Sequence, residues 1–374
     1  MEGRIAMREF VPVAEGFISM RQAGTPTAVA SGPRCAVTPS GAIVCTFMVQ
    51  SATGVNDFSP LVTRSSDGGR TWSEPEFLWP HLQERCSLFG SVSRAPDGEL
   101  FFYGTRTPID QPGEPNWCDA TQGLKPNELI WASSGDGGRT WSSPVVIPMP
   151  IPGAAEVPGT MCIARNGVWH VCYAPYNTFD PGLVVDRNQV VHLCSSDRGK
   201  HWRHTSMLRF SSPYATGAES WVVELADGRL LGTCWNLNQQ DGSDYPNAYA
   251  LSPDGGRTWT PTRSTGILGQ STALAALPDG GALFIYNQRK HGEVGVWMAL
   301  VRPTAEDFGV QCNEIVWRAA KPTVAGCSTA HSSWTDFAFG EPSVTLLPDG
   351  HLLVALWCIQ PDGRGIRYVK LRMQ

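Results

Sequence analysis

Ser65-Ser66-Asp67-Gly68-Gly69-Arg70-Thr71-Trp72 occurs three more times in the chain with the same order of residue types. The copies are Ser134-Gly135-Asp136-Gly137-Gly138-Arg139-Thr140-Trp141, Ser195-Ser196-Asp197-Arg198-Gly199-Lys200-His201-Trp202 and Ser252-Pro253-Asp254-Gly255-Gly256-Arg257-Thr258-Trp259. Their aspartates stand 57 to 69 residues apart, which leaves room for one small antiparallel sheet per copy. The octet has the chemistry of a turn. Its glycines permit positive φ, the Asp carboxylate can accept hydrogen bonds from turn amides, and the Trp is large enough to pin the turn onto a sheet. An aspartate used alike in every copy serves the repeat; a catalytic residue would break the symmetry.

A second repeat phases the first. Apolar runs on either side of a Gly turn recur at residues 35–48 around Ser40-Gly41, 91–103 around Asp97-Gly98, 161–173 around Asn166-Gly167, 221–235 around Asp227-Gly228, 272–286 around Asp279-Gly280 and 343–357 around Asp349-Gly350. Asp-Gly and Asn-Gly between β-rich runs are strong hairpin signals. Four of the hairpins lead through a third strand into an octet, the fifth into a degenerate turn at 303–308, and the sixth ends at 366–371. The expected architecture is therefore all-β, a six-bladed β-propeller with four-stranded antiparallel blades, forming one domain over residues 1–374. Stretches at 9–13 and 16–21 are expected to add outer strands that close the ring. The Pro- and Gly-rich segments 108–115 and 148–158 read as surface loops.

Composition agrees with this and excludes several function classes. The 374 residues are 42% hydrophobic, rich in Gly and Pro, with 14 Trp. A formal net charge of −5 offers no basic face, so neither a nucleic-acid nor a membrane partner is implied. Residues 1–10 carry Glu2, Arg4, Arg8 and Glu9 with no apolar run behind them, so no signal peptide is read. The eleven cysteines, an odd number, sit mostly inside apolar runs, and a reduced, cytoplasmic protein is expected. The eight histidines show no metal spacing, and no phosphate loop or dinucleotide fingerprint is present; no cofactor is expected.

The innermost strands of a propeller converge on its axis, so a ligand site is built from residues just before and just after each inner hairpin. Counting nine residues back from each turn glycine gives Gly32, Phe89, Pro158, Glu219, Ser271 and Glu341. Two blades thus present a glutamate at the axis. Paired carboxylates suit glycosyl transfer, one as acid and one as base or nucleophile. The alternative is that each glutamate accepts backbone hydrogen bonds where neighbouring blades meet.

The octets resemble the Asp boxes of BNR-repeat propellers in the sialidase-like (neuraminidase) superfamily, and the resemblance of fold covers nearly the whole chain. It implies roles for particular residues. Glu219, ahead of Val222-Val223-Glu224-Leu225, is similar to the glutamate that activates the sialidase nucleophile, and Asp57, before the first box, to the acid/base aspartate. Arg289 stands where one member of the arginine triad would be; Arg34 and Arg106 are further candidate substrate contacts. The chain also departs from that pattern. Trp235 occupies the place of a second arginine, Ser31 falls at the counted first position with Arg34 three residues on, and residues 334–339 lack the nucleophilic tyrosine.

Glu341 is the candidate to replace that tyrosine, and His331 or Asp336 could also supply a nucleophile or base. Trp235, Trp357, Tyr173 and Tyr176 lie near inner-strand ends, where aromatic faces stack on sugars or pack the core. The resemblance implies an exo-acting glycoside hydrolase on a terminal, anionic sugar, with Asp57, Glu219 and Glu341 catalytic and Arg34, Arg106, Trp235 and Arg289 binding substrate. A glycan- or protein-binding propeller without activity, or a sugar-acid lyase or isomerase, are the alternatives.

Overall fold

The computed structural model describes residues 10–374 except Pro158 and Ala330. Glu9, expected at the start of a closing strand, and Pro158, the third counted axial position, lie outside the described residues. Six antiparallel sheets are arranged as a β-propeller. Blade 1 runs outward from the axis as Val29–Val37, Ile43–Gln50, Ser59–Ser65 and Glu76–Phe77. Blade 2 is Cys86–Arg94, Leu100–Pro108, Glu128–Ser134 and Val145–Ile147. Blades 4 and 5 begin with Ala215–Glu224 and Gln270–Ala276.

Blade 6 is assembled from both ends of the chain. Its three inner strands, Phe339–Leu346, Leu352–Gln360 and Gly363–Met373, are C-terminal, and its outer strand is the N-terminal Phe10–Met20. Phe10 pairs with Met373 and Met20 with Gly365, so the edge that Gly363–Met373 would expose is covered. One continuous strand thus replaces the two short ones expected at 9–13 and 16–21.

Blade 3 is the irregular one. Its inner strand is broken into Ala154–Glu156 and Cys162–Ile163, both paired with Trp169–Tyr176. Residues 148–158 were expected as a surface loop; part of that stretch is instead the innermost strand, because Ala154 and Ala155 are small and apolar enough to be buried against the neighbouring strand. Segment 108–115 leads into a two-stranded ribbon, Trp117–Cys118 with Gly123–Leu124, that stands over one end of the axis.

The octets close the outer turns as their chemistry dictates. Asp67 Oδ1 accepts from the Arg70 and Thr71 amides, both at 3.0 Å, and Oδ2 accepts from Thr71 Oγ1 at 2.6 Å. The Trp72 indole donates to Gly69 O, and Trp141 and Trp202 repeat that bond in their own copies. The Thr71 hydroxyl and amide hold the Asp67 carboxyl well below the usual carboxylate range. These aspartates are engaged within the turn. Between blades the faces are apolar: Phe101 of blade 2 meets Trp169 of blade 3 edge-on at 4.9 Å.

Candidate active site

Four inner strands carry a register shift at the axial end: between Ser31 and Arg34, Ala218 and Trp221, Gln270 and Thr272, and Gly340 and Ser343. Such a bulge leaves one residue unpaired and re-aims it. At these bulges Gly32 (φ 57°), Glu219 (47°), Ser271 (52°) and Glu341 (46°), the counted axial positions of those blades, lie in the left-handed region. Positive φ is costly for a side chain with a Cβ, and such strain persists only where the surroundings enforce it, often at functional sites.

The bulges link blade 6 to blade 1, blade 3 to blade 4 and blade 4 to blade 5. Gly32 N donates to Glu341 Oε2 at 2.7 Å, and Arg34 Nη1 donates to Glu341 O at 2.9 Å. Glu219 N donates to Glu156 Oε2 at 2.7 Å, while Thr272 Oγ1 donates to Glu219 O at 3.2 Å. Both readings of an axial glutamate are therefore present in one ring. Glu341 and Glu156 accept backbone amides where blades meet. Glu219 does not: its Oε1 accepts from Ser271 Oγ at 2.8 Å, and its buried Oε2 has no hydrogen-bond partner.

Above this ring lies a cavity of ≈ 210 Å³ lined by Glu156, Glu219, Glu341 and Arg289 together with aromatic side chains. The walls come from three connections, 51–58, 108–127 and 331–337, which carry Asn56, Lys125, Trp117, His331 and Trp334. A cavity of about 150 Å³ already holds a benzene ring, so this one has room for a single six-membered ring. Below the ring, Arg34 and Trp221 line a second cavity, the guanidinium 5.1 Å from the indole centroid.

The three carboxyls titrate as a cluster. Burial pushes Glu156 up to about 8, with the Glu219 amide opposing the shift and Glu341 adding to it. Burial raises Glu219 well above the carboxylate range, and Glu341 and Glu156 push it the same way. Glu341 is raised by burial too, but Arg34, the Gly32 amide and Arg289 pull it back toward the anion. Burial thus favours the protonated forms of Glu156 and Glu219, and the negative charge of the group is best held at Glu341. His331 is driven down to about 4, first by burial and then by Arg187, so it is neutral at pH 7.

The structure brings Glu219, Glu341, Trp235 and Arg289 of the expected residues to one cavity, with Tyr176, Trp357 and His331 beside them. It places the others elsewhere. Asp57 does not line the cavity: its carboxylate accepts from Ser51 Oγ and the Ser51 amide, and Asn56 takes the inward position. Arg106 pairs with Glu128 on the outer side, and Arg34 belongs to the lower cavity. Asp336 accepts the Ala325 and Cys327 amides, and the Tyr173 hydroxyl accepts the Ile151 amide.

Glu156 was missed because the nine-residue count lands on Pro158 when the inner strand is broken. It is nevertheless the sole charged residue between Ile151 and Ile163, and that was the available signal. Among the described residues no group of three His, Cys, Asp or Glu side chains is arranged to hold a metal ion, and no helix is long and apolar enough to cross a membrane.

Comparison with known proteins adds the family. A model described as "BNR repeat-like domain" matches residues 115–335. A sialidase of Micromonospora viridifaciens is 28% identical over 91% of the chain, which spans 51% of that relative's length. Two solved structures share the fold. One is a protein of unknown function from Dyadobacter fermentans, with a TM-score of 0.76 at 20% identity, covering 99% of this chain and all of that one. The other is the Penicillium chrysogenum α-L-arabinanase complexed with arabinobiose, with a TM-score of 0.63 at 14% identity, covering 96% and 98%.

Proposed function

We propose that this chain, which belongs to the BNR repeat-like family, is an exo-acting glycoside hydrolase whose chemistry takes place at the upper axial cavity. The observation that carries the reading is that Glu219, whose buried Oε2 has no hydrogen-bond partner, lines the same cavity as Glu156, a carboxyl raised to about 8. An unpaired buried oxygen is costly, and a bound substrate or water would satisfy it.

The two states are those that glycosyl transfer uses. Glu156 holds the proton and delivers it to the leaving oxygen as the glycosidic bond breaks. Glu219, in the fraction of molecules in which it has released its own proton to solvent, supplies its electron pair to the anomeric carbon or takes a proton from the attacking water. Glu341, stabilised by Arg34 and Arg289, keeps a negative potential that raises its neighbours and supports positive charge developing on the sugar. The tyrosine that sialidases place at this axis has no counterpart in residues 334–339, so the role falls to a carboxylate. A cavity of one-ring size with a single layer of carboxyls at its floor supports removal of a terminal residue.

The test is turnover of a panel of nitrophenyl glycosides covering hexopyranosides, pentofuranosides, uronides and sialosides. Release of nitrophenol from at least one, at a rate per enzyme well above buffer, is expected. A folded protein that turns over none, across pH 4 to 9, contradicts the hydrolase reading and leaves a glycan- or protein-binding propeller.

A further inference from the structure

We propose that the sugar held in the upper cavity is uncharged, where the likeness to sialidases had led to the expectation of an anion. This rests on reading that cavity as the sugar site. Recognition of a carboxylate needs free N–H groups, best offered as a guanidinium fork. The two cations in the cavity wall offer no free fork: both Nη atoms of Arg289 are committed to the protein and its buried Nε–H is left as a single donor, while the Lys125 ammonium sits between two carboxylates. Arg289 donates through Nη1 to Gln270 Oε1 at 2.9 Å and through Nη2 to Phe339 O, and its plane is stacked 3.9 Å from the Phe337 centroid. Lys125 is held between Asp110 at 2.8 Å and Glu114 at 2.5 Å, with Asn56 also donating to Glu114.

The carboxyls oppose an anion as well. An acidic sugar would come within reach of the Glu341 anion and of charge shared with Glu156 and Glu219 while meeting no free cationic fork, a pairing that costs affinity. A cation is not matched either. Burial favours the uncharged acid forms of Glu156 and Glu219, and the anion at Glu341 is offset by Arg34 and Arg289, so the site offers no net negative charge to hold a cation.

The walls fit the apolar face of a neutral ring. Trp235 and Trp117 flank His331, with ring centroids 5.3 and 5.9 Å from the imidazole. Each indole N–H is tied to a carboxylate, Trp235 to Asp244 at 3.1 Å and Trp117 to Asp119 at 3.0 Å. Asp244 is itself fixed by His291 at 2.7 Å and Lys290 at 3.0 Å, so the Trp235 plane is braced from behind. With their donors occupied, the indoles offer π surface, while Glu219 Oε2 and the neutral His331 remain to bond hydroxyls.

The experiment is calorimetric titration of the wild-type protein at pH 7 with free monosaccharides, which are not consumed. The set contains matched pairs differing at one group, glucose with glucuronate and glucosamine, galactose with galacturonate and galactosamine, together with arabinose and sialic acid. At least one neutral sugar is expected to bind ten-fold or more tighter than every acidic or amino sugar. Tighter binding of sialic acid, a uronate or an amino sugar overturns the proposal, and so does absence of binding by all. The outcomes separate this claim from the hydrolase reading: binding of a neutral sugar without turnover of any glycoside defeats only the latter, and turnover of a sialoside alone defeats only the former.

Discussion

Glu219→Gln is expected to lower turnover by a factor on the order of 10² to 10⁴, the range that loss of a positioned acid or base produces, while leaving the melting temperature unchanged or slightly raised. The two halves of this result have separate causes. Turnover falls because an amide can neither attack the anomeric carbon nor take a proton from water. Stability holds because Gln has the size of Glu, its oxygen still accepts from Ser271 Oγ, and the main-chain bonds from Glu219 N to Glu156 and to Glu219 O from Thr272 are untouched. The variant also removes a group that burial and two neighbouring carboxyls already disfavour as an anion. A fall of many degrees in melting temperature with activity retained would make Glu219 a structural link between blades 4 and 5 instead.

Arg289→Ala is expected to act in the opposite sense, on stability first. Arg289 is buried, hydrogen-bonded to Gln270 and Phe339, stacked on Phe337, and one of two cations that offset Glu219 and Glu341. Removing one partner from a buried charge cluster typically costs about 3–5 kcal/mol, since the remaining charges lose their compensation. With an unfolding entropy of about 2.1 cal/mol/K per residue, that is roughly a 4–6 °C fall in melting temperature for a chain of this length. Lysine would not restore it, because it neither stacks flat on Phe337 nor donates in two directions from one plane. Thermal unfolding followed by circular dichroism checks this. An unchanged melting temperature accompanied by a raised KM alone would return Arg289 to the role of a substrate contact.

The fold was legible because it repeats. Four octets announce the turns, and the Gly turn in each hairpin gives a fixed offset from which Gly32, Glu219, Ser271 and Glu341 emerge at the very positions where the backbone turns left-handed. The offset failed in blade 3, where the inner strand is interrupted and Glu156 falls two residues ahead of the count. Residues placed by standing before a box, as Asp57, or after a hairpin, as Arg106, fared differently from those placed by the offset. Asp57 is bonded to Ser51 outside the cavity wall, and Arg106 faces outward to Glu128. The cavity walls were illegible for a physical reason. The connections 51–58, 108–127 and 331–337 have no periodicity, and which of their side chains turns inward is decided by contacts such as Trp117 with His331 between segments some 200 residues apart.

The most direct test of the claim that Glu156 and Glu219 act as an acid and a base at the axis is the pH dependence of kcat/KM, measured for the wild type and for Glu156→Gln. Burial holds the Glu156 proton up to about 8, so the acid form is populated below that pH and is lost as pH rises through it. The account predicts a wild-type rate that falls on the alkaline side near pH 8, and a slower Glu156→Gln whose profile lacks that fall. A Glu156→Gln profile with the same alkaline fall and the same height as the wild type would contradict it.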